Sequence, residues 1–214
     1  MNAQAQLKTV PQAADDSAKR RQIVEGARSI FLAQGFDAAS MSDIARAAGV
    51  SKGTLYVYFT NKEQLFEAIV QEQCVVHAEG VFDLDPNDRD VATALTRLGT
   101  SYVEMLCRPD KASALRIVMA IADRMPEIGK LFYETGPAVG IAKLAAYLRA
   151  QSEAGVLKVE DFDIAACQFM EACKATLFVP VLFNFREAPE AEAIQRVVGI
   201  AVNSFMRAYG VPKP

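Results

Sequence analysis

Residues 40–70 read SMSDIARAAGVSKGTLYVYFTNKEQLFEAIV, and the spacing of caps and apolar residues divides them into three helices. Ser40 opens a Ser-x-x-Asp variant of the capping box, Ile44, Ala45 and Ala48 share one face, and Gly49 supplies the stop. Ser51 caps the next helix, with Val50 before it and Leu55 inside it in the arrangement of a hydrophobic staple. Asn61 with Gln64 offers another capping box, after which Leu65, Phe66, Ile69 and Val70 carry an amphipathic helix on to about Gly80. In the middle helix, at about 100° per residue, Leu55 and Phe59 fall in one narrow sector. Gly53, Thr54, Tyr56 and Val57 then fan across a surface that their own domain leaves uncovered.

Upstream, Ile23, Ala27, Ile30 and Phe31 recur at helical spacing, with Ser17 as a candidate N-cap and Gly35 as the stop. Residues 1–15 carry no sustained apolar period and read as a mobile arm. Downstream, the acidic, turn-rich LDPNDRD at 84–90 is the best internal break. Beyond it every segment again reads helical. Leu95, Leu98, Tyr102, Met105 and Leu106 form one stripe, and Leu115, Val118, Met119 and Ala122 another. Pro126 begins a stretch to 154 that is one kinked helix or two, and residues 160–185 and 190–209 read as two long final helices. With no period-two strand pattern, the fold class is all-α.

The chain has 214 residues, 51% of them hydrophobic and 23% charged, the mixture of a folded protein with a substantial core. No apolar run reaches the roughly 18 residues that cross a bilayer, and the N-terminus lacks a secretory signal's apolar centre, so a cytoplasmic location is expected. Cys74, Cys107, Cys167 and Cys173 show no CxxC spacing and His77 is the single histidine, a poor inventory for metal, cofactor or triad chemistry. Tyr58 and Lys62 do form a Tyr-x-x-x-Lys pair. Without a glycine-rich dinucleotide loop or strand–helix alternation, that spacing does not indicate a dehydrogenase. The formal charge of -3 hides an asymmetry: residues 1–66 hold eight Lys/Arg against six Asp/Glu, and residues 67–214 hold fifteen against twenty. The weak basic bias is amino-terminal.

Two short helices joined by an Ala-Gly-Val-Ser turn, with a third in front, fit a helix-turn-helix whose second helix enters a DNA major groove. The uncovered face has matching chemistry. Lys52 suits a base edge or phosphate, Gly53 permits close backbone approach, Thr54 offers a hydroxyl, and Tyr56 and Tyr58 offer phenols. Lys62 places a cation at the following helix's N-terminus, a favourable phosphate seat, and Ser40 and Ser42 mark a second.

Residues 40–70, extended back over IVEGARSIFLAQGFDAAS at 23–40, closely resemble the helix-turn-helix signature of the TetR family of bacterial transcriptional regulators. RIVMAIADRMPEIGKLFYETGP at 116–137 is similar to the carboxy-terminal domain of AefR-like members. The resemblance implies a homodimer of nine-helix subunits that binds a near-palindromic double-stranded operator and is released by a small effector. It divides the chain into a DNA-binding head at 16–62 and an effector-binding and dimerisation body at 63–214. By motif position, Lys52, Gly53 and Tyr56 match residues that read or approach bases, Thr54 and Val57 match neighbours with variable contacts, and Tyr58 and Lys62 match phosphate ligands. Ser51 completes the set as the helix cap. Many members carry His where this chain has Tyr58.

For the body, large or adaptable side chains mark candidate lining for an apolar effector: Tyr102, Met105, Met119, Phe132, Tyr133, Phe169 and Met170, with Cys173 beside them. Arg116 and Lys174 stand ready for an effector carboxylate or for salt bridges to Glu171 or Asp123. The apolar stripe Ile194, Val197, Val198, Ala201, Val202 and Phe205, with Phe178 and Leu182 before it, reads as intramolecular core by general pattern. The family resemblance instead implies that these residues form the dimer interface. The helix at 61–80, shared by head and body, is the expected lever between effector and DNA.

Overall fold

The computed structural model describes residues 12–212, of which 12–15 and 73–79 are described as backbone only. Among these residues eleven helical segments occur and no strand, only an isolated bridge between Leu157 and Gly210. Two compact units divide between Ile69 and Val70.

The first unit contains α1 (Gln12–Ala38), α2 (Met41–Ala47), α3 (Lys52–Tyr58) and the first turns of α4 (Lys62–Val81). Helix α1 begins at Gln12, so residues 12–15 of the expected arm are helical and Ser17 lies inside the helix rather than capping it. The rest of that arm, and the side chains of Cys74 and His77, lie outside the described residues. Gly35 breaks α1 with φ 77 and ψ 170, a conformation that favours glycine, and aims Phe36 back into the core. There Phe31, Phe36 and Phe66 meet pairwise with ring centroids 5.4–5.5 Å apart, one pair stacked and two edge-on. Such aromatic pairs add about 0.5–1.5 kcal/mol each beyond the area they bury. Leu65 and Phe66 therefore belong to this core. The first compact unit accordingly runs on to Ile69.

The turn between α2 and α3 is held against α1 by two features. A Cβ on Gly26 would lie 2.7 Å from the Cα and backbone nitrogen of Ala48, so only glycine lets the chains approach this closely. Gln22 Nε2 donates to the Ala48 carbonyl at 2.6 Å from the same face of α1.

The second unit contains the remainder of α4, α5 (Val91–Leu106), α6 (Pro109–Ile121), α7 (Pro126–Thr135), α8 (Pro137–Glu153), α9 (Phe162–Lys174), α10 (Phe178–Leu182) and α11 (Ala191–Tyr209). Prolines start α6, α7 and α8, where the missing N–H costs nothing. Residues 126–153 are accordingly two helices meeting at Gly136–Pro137. The expected long helix at 160–185 is also two. Pro180 cannot continue a helix past residue 176, because its ring clashes with that carbonyl and it has no N–H to donate there. The chain breaks at Thr176, whose φ is 63.

Helix α5 lies against α9 and α11 at Gly99, where a Cβ would stand 2.9 Å from both Cys173 Sγ and Val198 Cγ1. Buried Gln151 on α8 pins the 84–90 connection, donating to the Pro86 carbonyl at 2.9 Å and accepting from Arg89 at 2.9 Å. No described helix is long and apolar enough to cross a membrane.

Candidate nucleic-acid interface

The three caps read within residues 40–70 are present. Ser40 Oγ accepts from the Asp43 N–H at 3.1 Å, Ser51 Oγ from the Thr54 N–H at 3.0 Å, and Asn61 Oδ1 from the Gln64 N–H at 2.9 Å. Gln64 reaches back to accept from the Thr60 N–H at 3.1 Å, one residue before the cap and not from Asn61 as a strict capping box would. Between the first two caps Gly49 takes φ 63, the left-handed stop that the motif requires.

These caps fix α3 with Leu55 and Phe59 buried. Its other face is open: Lys52 and Gly53 are exposed, Tyr56 is 51% exposed and Val57 80%. Gly53 is not needed by the protein's own packing. A Cβ there would meet nothing nearer than Ser51 Oγ at 3.8 Å, and its φ is not positive. Glycine in a helix costs stability relative to alanine, so its presence here has no intramolecular reason.

The remaining expected contacts are already partly engaged. Thr54 Oγ1 lies 2.8 Å from Ser51 Oγ. The Ser40 hydroxyl donates to Asp43 Oδ2 at 2.5 Å, and Asp43 also pairs with Arg46, so a carboxylate sits at the α2 start where a phosphate seat was expected. Ser42 is half-buried. Tyr58 Oη donates to Asp16 Oδ1 at 2.9 Å, a contact across α1 and α3 that no local spacing announces. Arg20, one turn along α1 from Asp16, stacks its guanidinium over the Phe59 ring at 5.3 Å.

Lys62 departs furthest from its sequence-based role. Its ammonium donates to the carbonyls of Phe36, Asp37 and Ala39 at 2.9, 3.1 and 3.3 Å and lies 4.6 Å from the Phe36 ring centroid. A lysine has three N–H donors, and here all three are matched to the carbonyls that Gly35 frees at the end of α1. In this state Lys62 is a clamp between α1 and α4 with no donor left for a phosphate.

Among the described residues the expected effector residues stand in different environments. Met119 and Tyr133 are 58% and 56% exposed. Phe169, Met170 and Cys173 are buried in the central cluster, with Tyr102 packed against it and edge-on to Phe82. Burial pushes the Cys173 thiol up to about 12, and burial followed by Glu171 and the two neighbouring thiols raises the Tyr102 phenol well above its usual range. Met105 and Phe132 are half-buried. Arg116 meets neither an acid expected for it: it donates to the Leu182 carbonyl at 3.0 Å, closing the end of α10, and to Ser113 Oγ at 2.6 Å. The salt bridge expected between Lys174 and Glu171 is present at 2.7 Å. An open groove of about 440 Å³ on α5, lined by Ala92, Thr93, Thr96, Arg97, Thr100 and Ser101, contains none of the expected residues.

The expected dimer residues are mostly core. Phe178, Ile194, Val197, Val198, Ala201, Val202 and Phe205 are buried within a single subunit, and Leu182 packs against the same cluster. Periodicity marks a buried stripe but not what buries it, and here α5 and α9 suffice. The apolar side chains left outside are different: Ile164 on α9, Val179 on α10, Phe183 and Phe185 just after it, and Ile200 on α11.

With this geometry in place, comparison with known proteins assigns the family. The profile for bacterial regulatory proteins of the tetR family matches residues 23–69, and that for the AefR-like transcriptional repressor C-terminal domain matches residues 93–211, more than half of the chain. The chain belongs to the TetR family. A TetR-family regulator from Mesorhizobium loti superposes with TM-score 0.86 at 26% identity, over 94% of this chain and 100% of the other. The flavonoid-responsive regulator FrrA superposes with TM-score 0.77 at 31% identity, over 92% and 100%. Among curated relatives, the HTH-type transcriptional repressor Rv1474c of Mycobacterium tuberculosis is 37% identical over 54% of this chain and 57% of its own length. The A-factor receptor protein of Streptomyces griseus is 45% identical over 25% and 19%. This chain thus spans little more than half of the first relative and a fifth of the second. Members of this family are DNA-binding transcriptional regulators and not enzymes.

Proposed function

We propose that this TetR-family protein is a repressor that binds a near-palindromic double-stranded operator as a homodimer and is released by a small, largely apolar effector. The observation that carries the DNA-facing part is Gly53: a glycine kept on the exposed start of α3 where the protein has room for a side chain. A partner that approaches the backbone explains it. Lys52, Gly53 and Tyr56 face base edges, with Thr54 and Val57 beside them, and Tyr58 supplies a phosphate contact. Lys62 serves by holding α4 to α1 so that α3 stays aimed, and Ser40, Ser42 and Ser51 order the ends of α2 and α3.

Dimerisation presents two copies of α3 to half-sites separated by a helical turn or a multiple of it. The apolar residues left outside on α9, α10, the segment after α10 and α11, and not the buried α11 stripe, are the surface for it. The flavonoid response named for one relative supports an apolar, aromatic effector. Because α4 contributes to the first unit's core and continues into the second, its movement is the covalent route by which effector binding changes DNA affinity.

Titrating the protein onto duplex DNA from its own promoter region at several salt concentrations tests the central claim. A sequence-preferring complex whose affinity falls with salt supports it, and absence of such a complex at every salt concentration sinks it.

A further inference from the structure

We infer that Asp16 is a brake on DNA binding, holding the Tyr58 hydroxyl in a contact that a phosphate must displace. The inference rests on the proposed DNA-binding role of α3. Tyr58 is the last residue of α3, half-buried, and its hydroxyl donates to Asp16 Oδ1 at 2.9 Å from the amino-terminal part of α1. The same part of α1 is seated over the end of α3 by Arg20 on Phe59, so the meeting of Asp16 and Tyr58 belongs to a packed contact between two helices.

The chemistry sets up a competition. A phenol has one O–H to donate, and a DNA phosphate offers only acceptor oxygens. While Asp16 holds that proton, the phenol has none to offer a phosphate, and the exposed Asp16 carboxylate stands 2.9 Å from the Tyr58 oxygen. Binding therefore requires the phenol to leave a charged acceptor before it can donate to a new one. Since phosphate contacts carry no sequence information, the brake lowers affinity for operator and unrelated duplex alike. It sets how much protein is free of non-specific DNA without altering which sequence is preferred.

Removing Asp16 also removes a negative charge, which favours any polyanion. A double-mutant cycle separates the two effects. Dissociation constants for operator and unrelated duplex are measured at fixed salt for the native chain, Asp16→Ala, Tyr58→Phe and the double variant. Asp16→Asn serves as a second probe that keeps the side chain's shape, and thermal unfolding establishes that each variant is folded. The inference expects Asp16→Ala to tighten both duplexes by about three- to tenfold in the presence of Tyr58. In the Tyr58→Phe background the same substitution changes affinity at least threefold less, and the operator-to-unrelated ratio stays constant throughout. Equal gains in both backgrounds reduce Asp16 to a general charge and overturn the inference, as does no gain in the native background. If the native chain binds no DNA, the proposed function fails and this inference fails with it. If the native chain binds but the cycle shows no coupling, only the inference fails.

Discussion

Replacing Gly53 by alanine separates what the fold requires from what a partner requires. Within the protein the added methyl group has room, with Ser51 Oγ its nearest neighbour at 3.8 Å. Alanine lowers the conformational entropy lost on forming the helix and stabilises it by about 0.5–1 kcal/mol. In a chain of this size that raises the melting temperature by roughly 1–4 °C. Against DNA the sign reverses, because a methyl placed where a base edge or phosphate must approach costs about 1–3 kcal/mol, as overpacking does in a close-packed core. The dissociation constant then rises about 5- to 150-fold. Anisotropy titration of a labelled operator fragment and a melting curve on the same samples give both numbers. A variant that melts several degrees below the native chain would show that the fold needs the glycine after all. One that is stabilised but binds with unchanged affinity would show that the start of α3 stays clear of DNA.

Three further outcomes are expected. Lys62→Met leaves the Phe36, Asp37 and Ala39 carbonyls without their donor, so the first unit loses about 1–3 kcal/mol in denaturant unfolding. The slope of log affinity against log salt stays as it was, whereas loss of a direct phosphate ligand flattens it by about one. Ile200→Glu puts a charge on the exposed side of α11 and dissociates the dimer in sedimentation while leaving the subunit folded. The buried Val198→Glu unfolds the second unit instead, and a dimer that survives Ile200→Glu refutes the proposed surface. Burial raises the Cys173 thiol from 9.0 to about 12, and burial with Asp88 raises the Tyr147 phenol from 10.0 to about 12. The folded state therefore keeps protons that the unfolded chain releases. Their contribution is complete below about pH 9 and is lost as pH rises toward 12, which urea midpoints taken between pH 8 and 11 should show as a decline. A flat profile over that range contradicts it.

Much of the interface was legible in residues 40–70 because its determinants are local. A serine three residues before an N–H it can accept from, a glycine at the left-handed stop and apolar residues one turn apart act within a single helix or turn. Ser40, Ser51, Asn61, Gly49, Leu55 and Phe59 accordingly stand where the sequence places them. The family resemblance rests on the same local signals. The body was less legible because its pattern is only periodicity. The α11 stripe announced burial, but whether α5 and α9 or a second subunit did the burying is a long-range fact. In the same way, Met119 and Tyr133 are apolar enough for a pocket, yet they face outward.

What the sequence determined by itself is therefore the all-α fold, the helix-turn-helix and the exposed face of α3, since caps, turns and helical phase follow from neighbours along the chain. Only the tertiary structure decided the roles of the polar side chains. Lys62 spends its donors on the end of α1, Tyr58 gives its proton to Asp16, and Arg116 closes α10. Each is a contact between residues distant in sequence. A long or polar side chain takes whichever acceptor the fold brings within about 3 Å, and spacing along the chain does not reveal which that is.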